Sequence, residues 1–145
     1  MLNRPAIAFI GAGKMAQALI KGLLMQGYPK NCIRATVRSS DNLQKITETI
    51  GILVSHDNIS ACYGADIIVL GVKPQDILEL ACSLSIAISD QLVISVAAGV
   101  PLKKLEHCLG KKDIALLRCM PNAPVIVGTG VIALHANTNT SPLQK

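Results

Sequence analysis

Aromatic side chains are almost missing from this chain: Phe9, Tyr28 and Tyr63 are the whole set among 145 residues, and tryptophan does not occur. Platforms on which bases stack are therefore scarce. The Lys and Arg residues behind the net charge of +5 are spread along the chain rather than gathered in a stripe, so no nucleic-acid partner is expected. A small anionic ligand accounts for the excess equally well. No apolar stretch reaches the roughly 18 residues that span a bilayer, and the first residues lack the basic-then-apolar layout of a signal peptide. No membrane partner and a cytoplasmic location follow as expectations. Paired cysteines are missing too: Cys32, Cys62, Cys82, Cys108 and Cys119 form no C-x-x-C and have no histidine at ligand spacing, so no metal site is expected. Most of the five read as small buried hydrophobes in a reducing compartment. His56, His107 and His135 have no Ser, Cys or acidic partner at a recognisable spacing. They read as structural or exposed, and no residue stands out as catalytic.

What remains is an aliphatic chain. Half of its residues are hydrophobic, and with so few rings the core must be built from Ile, Leu, Val and Ala, a composition that suits a parallel sheet covered on both faces. The length fits one domain. Apolar runs predict strands at 6–10, 33–37, 53–55, 66–71, 92–97, 115–119 and 130–134. Three- and four-residue apolar spacing predicts helices at 17–26, 41–49, 75–88 and 102–108, with Pro101 where a first helical turn tolerates it. Alternation of this kind predicts an α/β fold of Rossmann type, a doubly wound and mostly parallel sheet with helices on both faces. Residues 1–135 are assigned to that domain. Residues 136–140 read as a polar linker, and Ser141-Pro142 as a helix cap followed by proline at the first helical position, the start of a further helical domain.

The most informative segment is Phe9-Ile10-Gly11-Ala12-Gly13-Lys14-Met15-Ala16, which follows the first apolar run and opens a helical pattern. It reads as a dinucleotide-binding turn. Gly11 allows the sharp turn from strand to helix, Gly13 lets the backbone approach a pyrophosphate, and the small Ala16 lets helix and strand pack closely. The free amides and the positive pole of the helix would hold the phosphates. At the end of the second strand, a carboxylate would favour NAD and a cation with hydroxyls the 2′-phosphate of NADP. The residues there are Arg38-Ser39-Ser40, so NADPH is expected over NADH. Asp41 has a local use, because Ser40-Asp41 resembles a helix cap. Three more segments fall at the carboxyl ends of strands, where such sheets bind ligands: Gly71-Val72-Lys73-Pro74, Ala97-Ala98-Gly99, and Met120-Pro121-Asn122 within Arg118–Pro124. Lys73 offers a charge for a phosphate or carboxylate, and Asn122 offers both donors and an acceptor or a turn.

The opening turn, His56-Asp57-Asn58, Ala65-Asp66 leading into Val72-Lys73-Pro74-Gln75, Ser95-Val96-Ala97-Ala98-Gly99 and Arg118-Cys119-Met120-Pro121-Asn122-Ala123-Pro124 occur in this order. Together they resemble the amino-terminal half of the pyrroline-5-carboxylate reductases. The resemblance implies NAD(P)H-dependent reduction of 1-pyrroline-5-carboxylate to proline. It implies that Asn58 touches the adenosine ribose, and that Val72 to Pro74 and Ala97 to Gly99 hold the nicotinamide side. It also implies a homo-oligomer, because family members continue into an all-helical domain that dimerises and supplies most substrate-binding groups. A 3-hydroxyacid dehydrogenase relative, which would need a catalytic lysine on further helices, and a non-catalytic NADP-binding module are the alternatives.

Overall fold

The computed structural model describes residues 4–145; the first three residues of the expected domain lie outside them. Seven strands form one sheet: β1 (Ile7–Ile10), β2 (Ile33–Thr36), β3 (Leu53–Ser55), β4 (Ile67–Leu70), β5 (Leu92–Ser95), β6 (Leu116–Pro121) and β7 (Ile132–Ala136), in the order β3-β2-β1-β4-β5-β6-β7. The first six are parallel, and β7 runs antiparallel to β6. The helices are α1 (Lys14–Met25), α2 (Ser40–Ile50), α3 (Asn58–Cys62), α4 (Ile77–Leu84) and α5 (Leu102–Leu109). The chain winds one way from β1 to β3 and the other way from β4 onward. The carboxyl ends of β1 and β4 therefore flank the reversal point, the crevice where doubly wound sheets take ligands. This is the Rossmann-type sheet expected from the aliphatic alternation.

Each strand divides its side chains between two cores. Ala8, Ile10, Ile68, Leu70, Val93 and Leu116 point to the face of α3, α4 and α5, where Ile77, Leu84 and Leu105 meet them fully buried. Ile7, Phe9, Ile33, Ala35 and Val69 point the other way, toward Ile20 of α1 and Ile46 of α2. Beyond α1 that second face continues over Leu92, Ala115, Leu117 and Cys119. There a 3-10 turn, Ala123–Val127, approaches α1. An apolar groove of about 570 Å³ remains, lined by Phe9, Leu23, Val69, Val96, Cys119 and Ile132 among others.

The structure differs from the sequence expectation in several places. Helix α2 is capped by Ser39, whose Oγ accepts the Asn42 amide at 3.2 Å, rather than by Ser40-Asp41. Helix α3 went unpredicted because it is a single short turn, started by Asp57 Oδ1 accepting the Ser60 amide at 2.9 Å. Helix α4 is shorter than 75–88, since the segment after Pro74 first makes a turn closed by Asp76 N–H to the Lys73 carbonyl at 3.0 Å. Strand β7 begins two residues later than expected. The Asn122 side chain accepts the Val131 amide at 2.9 Å, and its own amide donates to the Val131 carbonyl at 3.2 Å, which fixes the mouth of the hairpin there. Only Cys62 and Cys119 are buried; Cys32 and Cys108 are half-buried and Cys82 is exposed.

The segment read as a linker is tied down. Asn137 accepts the Leu116 amide at 3.1 Å and donates to Ile114 O at 2.9 Å and Glu106 Oε1 at 2.8 Å. Thr140 is buried and donates to Leu116 O at 3.1 Å. Small polar residues read as solvated loop; here they satisfy the carbonyls and amide that start β6. Ser141 to Gln144 then forms a turn in which Gln144 Oε1 accepts the Ser141 amide at 2.9 Å, half of a capping box.

Candidate dinucleotide site

Three strand ends are locked together at the reversal point. Gly11 has φ +88°, and a Cβ on it would stand 2.6 Å from Val72 Cγ1. A Cβ on Gly71 would fall on the carbonyl oxygen of Gly11 and come within 3.1 Å of the Ala16 Cβ. These two glycines and Ala16 are thus required by the approach of β1, β4 and α1 to one another. Backbone bonds fix the arrangement: Gly71 N–H donates to Ile10 O at 2.8 Å, and Ala12 N–H to Thr36 O at 2.8 Å. The Thr36 hydroxyl accepts the Gly11 amide at 3.1 Å.

Gly13 is different. A Cβ there would meet nothing closer than Gly71 O at 3.8 Å, and its φ of −71° suits any residue. The protein itself leaves room for a side chain where none is present. Gly13 is also the N-cap of α1, which has no side-chain cap and no acidic residue in its first turn. The first intrahelical bond runs from Gln17 N–H to Gly13 O at 2.9 Å. The amides of Lys14, Met15 and Ala16 have no acceptor among the described residues and point out at the positive pole. Gln17 steadies the loop from below by donating to Ala12 O at 2.9 Å. These features fit a diphosphate: bare amides, a bare pole and the space of a missing side chain.

A cleft of about 300 Å³ adjoins this turn, lined by Gly11, Thr36, Val37, Arg38, His56, Asn58, Val72 and Leu80. The structure thereby brings together Gly11, Arg38, Asn58 and Val72, which the sequence singled out in separate segments. Arg38 stands at the rim, with its side chain 84 % exposed and 3.6 Å from Asp76 Oδ2. Thr36 was missed, and His56, read as structural or exposed, also lines the cleft. A threonine in an apolar strand, 1 % exposed, is a signal that a backbone donor needs an acceptor there. His56 is exposed, and Nδ1–H donates to Val37 O at 2.8 Å, so its ring walls the cleft in a fixed orientation.

The remaining expected residues do not line this cleft. Lys14 and Lys73 are exposed and make no ion pair among the described residues. Ala98 and Gly99 lie exposed beyond β5, while Ala97 is buried and donates its amide to Ser95 Oγ at 3.3 Å. Met120 and Pro121 end β6, and Asn122 makes the turn already described. They lie along the β5 and β6 edge of the sheet, away from Arg38. Burial pushes the Cys62 thiol up to about 11 and raises that of Cys119, so neither is a ready nucleophile. Among the described residues no group of three or more His, Cys, Asp or Glu is placed to hold a metal, and no helix is long and apolar enough to cross a membrane.

A family model described as NADP oxidoreductase, coenzyme F420-dependent, matches residues 6–99, which take in the turn, the cleft and the Ala97-Ala98-Gly99 segment. The chain belongs to this family. Within the NADP oxidoreductase family it is similar to a pyrroline-5-carboxylate reductase of Pseudomonas aeruginosa, 41 % identical over 99 % of this chain and 52 % of that protein. A solved pyrroline-5-carboxylate reductase from Coxiella burnetii superposes with a TM-score of 0.93 at 38 % identity, covering 98 % of this chain and 53 % of that one. A Plasmodium falciparum pyrroline carboxylate reductase solved with NADP bound gives 0.85 at 25 % identity, covering 99 % and 52 %. The chain spans about half the length of the curated relatives it matches.

Proposed function

We propose that this chain is the NADPH-holding part of a pyrroline-5-carboxylate reductase. The observation that carries the reading is Gly13: the fold leaves space for a side chain there, and the space faces three uncapped amides at the positive end of α1. The 41 % identity to a named reductase supports the substrate assignment, 1-pyrroline-5-carboxylate reduced to proline. Bound NADPH supplies the hydride; with one proton it converts the C=N bond of the substrate to the C–H and N–H of proline.

The chain's own work is binding and orientation. The amides of Lys14, Met15 and Ala16 receive the diphosphate. Arg38 forks onto the 2′-phosphate, with the hydroxyls of Ser39 and Ser40 beside it, and exchanges Asp76 for a dianion. Asn58 and the Thr36–Val37 backbone wall the adenosine ribose. Val72 to Pro74, Ala97 to Gly99 and Met120 to Asn122 form the rim along which the nicotinamide lies, and small residues there let a flat ring rest on backbone. Hydride delivery to an imine demands alignment more than acid–base groups. The assigned domain runs through Thr140, since the Asn137 and Thr140 bonds belong to the sheet.

Two measurements on the 145-residue chain test this. Calorimetric titration with NADPH is expected to give saturable one-site binding; no binding would end the proposal. In a steady-state assay, 1-pyrroline-5-carboxylate is expected to cause little NADPH oxidation by this chain alone. Robust turnover would mean that the substrate-binding groups lie within these residues.

A further inference from the structure

Helices α2, α3 and α4 each start on a residue able to cap them: Ser39, Asp57 and Asp76. The first two are spent on their own helices. Ser39 (φ −100°, ψ 144°) and Asp57 (φ −95°, ψ 101°) have extended backbones, and their side chains accept the amides three residues on at 3.2 and 2.9 Å. Asp76 differs. Its backbone is already helical, φ −99° and ψ −15°, as its amide closes the turn to Lys73 O at 3.0 Å, and its carboxylate accepts no amide of α4. That carboxylate is left for Arg38, whose Nη2 lies 3.6 Å from Oδ2.

The contact crosses the cleft. Arg38 follows β2 and Asp76 follows β4, and in the sheet β1, with the diphosphate turn at its end, lies between those strands. Arg38 lines one bank of the cleft; Val72 and Leu80, on either side of Asp76 in sequence, line the other. An ion pair this exposed adds little to stability, so holding the fold together is not its main effect. It occupies the guanidinium. A 2′-phosphate carries up to two charges and three acceptor oxygens and suits the same fork. To use Arg38 it must displace the carboxylate and then lie near it as a like charge. The neutral 2′-hydroxyl of NADH does neither.

We propose that Asp76 is an internal competitor of the 2′-phosphate: it holds Arg38 in the free protein and keeps NADPH affinity below what the arginine alone would give. The proposal rests on the reading above, in which Arg38 receives the 2′-phosphate. Asp76 thereby limits how far the site separates NADPH from NADH, and it returns to Arg38 as NADP leaves.

Asp76→Asn tests this by a gain of binding, which damage to the fold does not produce. Asparagine keeps the shape and the backbone turn and removes the charge, so the variant should melt like the parent. In calorimetric titrations of the 145-residue chain, NADPH is expected to bind about three- to tenfold more tightly, and NADH within about twofold of the parent. In an Arg38→Ala background the NADPH gain should shrink to about twofold or less. Unchanged or weaker NADPH binding by Asp76→Asn overturns the proposal. So does an equal gain for both cofactors, or a gain that persists in full without Arg38. If Arg38→Ala weakens NADPH alone while Asp76→Asn changes nothing, this proposal falls and the cofactor reading stands. If Arg38→Ala weakens both cofactors equally, or neither, the 2′-phosphate reading of Arg38 falls and takes the proposal with it.

Discussion

The two sides of the reversal point are built from the same alternating pattern and end in different states. On the β1–β2–β3 side, both sheet faces are covered by α1, α2 and α3, Arg34 is satisfied by carbonyls, and the Gly11 and Ala12 amides are held by Thr36. On the β5–β6–β7 side, one face is an apolar groove and the buried Nε of Arg118 has no hydrogen-bond partner among the described residues. The difference lies in what each side is complete for. The first side is closed by its own helices, whereas the second presents apolar surface that the described residues leave open.

The comparison breaks most readily at Gly11. Gly11→Ala puts a methyl against Val72 in a left-handed backbone, combining overpacking of about 1–3 kcal/mol with a conformational cost of about 1–2 kcal/mol. The expected outcome in urea unfolding is a stability loss of about 2–5 kcal/mol, together with loss of NADPH binding. Gly13→Val sharpens the point, because it should change stability by no more than about 1 kcal/mol. The branched side chain would fill the diphosphate space, so NADPH affinity should fall at least about a hundredfold, near 3 kcal/mol. Calorimetry on a variant that melts like the parent checks it; binding within a few-fold would place the diphosphate elsewhere.

Arg38→Ala comes next. It removes a charged hydrogen bond that only the 2′-phosphate receives, so NADPH should weaken about tenfold to a hundredfold while NADH is unchanged. The exposure of Arg38 and its present contact with Asp76 favour the lower figure. Equal losses for both cofactors would move Arg38 to the fold or the shared phosphates. The smallest effect belongs to the other side. Asn137→Ala leaves the Leu116 amide without its acceptor, while the Ile114 carbonyl keeps Asn139 Nδ2 at 3.2 Å, so the expected loss is about 1 kcal/mol by urea unfolding. NADPH affinity should not move, because the bonds lie at the amino ends of the strands.

The legible parts of this structure are those where one residue type had one physical use. The aliphatic runs gave the strands to within a residue or two, and Gly11-Ala12-Gly13 followed by a helical pattern gave the turn. Small polar residues misled. Asn137 and Thr140 look like linker by composition, and only the arrival of β7 beside β6 shows which backbone groups they serve. Ser39, Ser40 and Asp41 are equally good cap candidates by type, and the choice of Ser39 depends on where β2 ends. Thr36 escaped notice, and His56 was read as structural or exposed without a place at the cleft, because their partners, Gly11 and Val37, lie across the sheet. Gly71 was singled out for its place at the carboxyl end of a strand, and its close approach to the carbonyl of Gly11 is a feature only the assembled sheet shows.

That last contact bears on the order of events when the chain folds. The turn after β1 takes its shape from Thr36 on one neighbouring strand and from Gly71 on the other, so its residues are contiguous while its geometry is long-range. A peptide carrying only β1 and α1 would possess the whole motif and have nothing to hold Gly11 and Ala12 in place. Loop closure to β2 and β4 must come first. Nucleotide capture at the turn, as proposed, would therefore be a late event, and a ligand that stabilised the turn would report on a sheet already assembled.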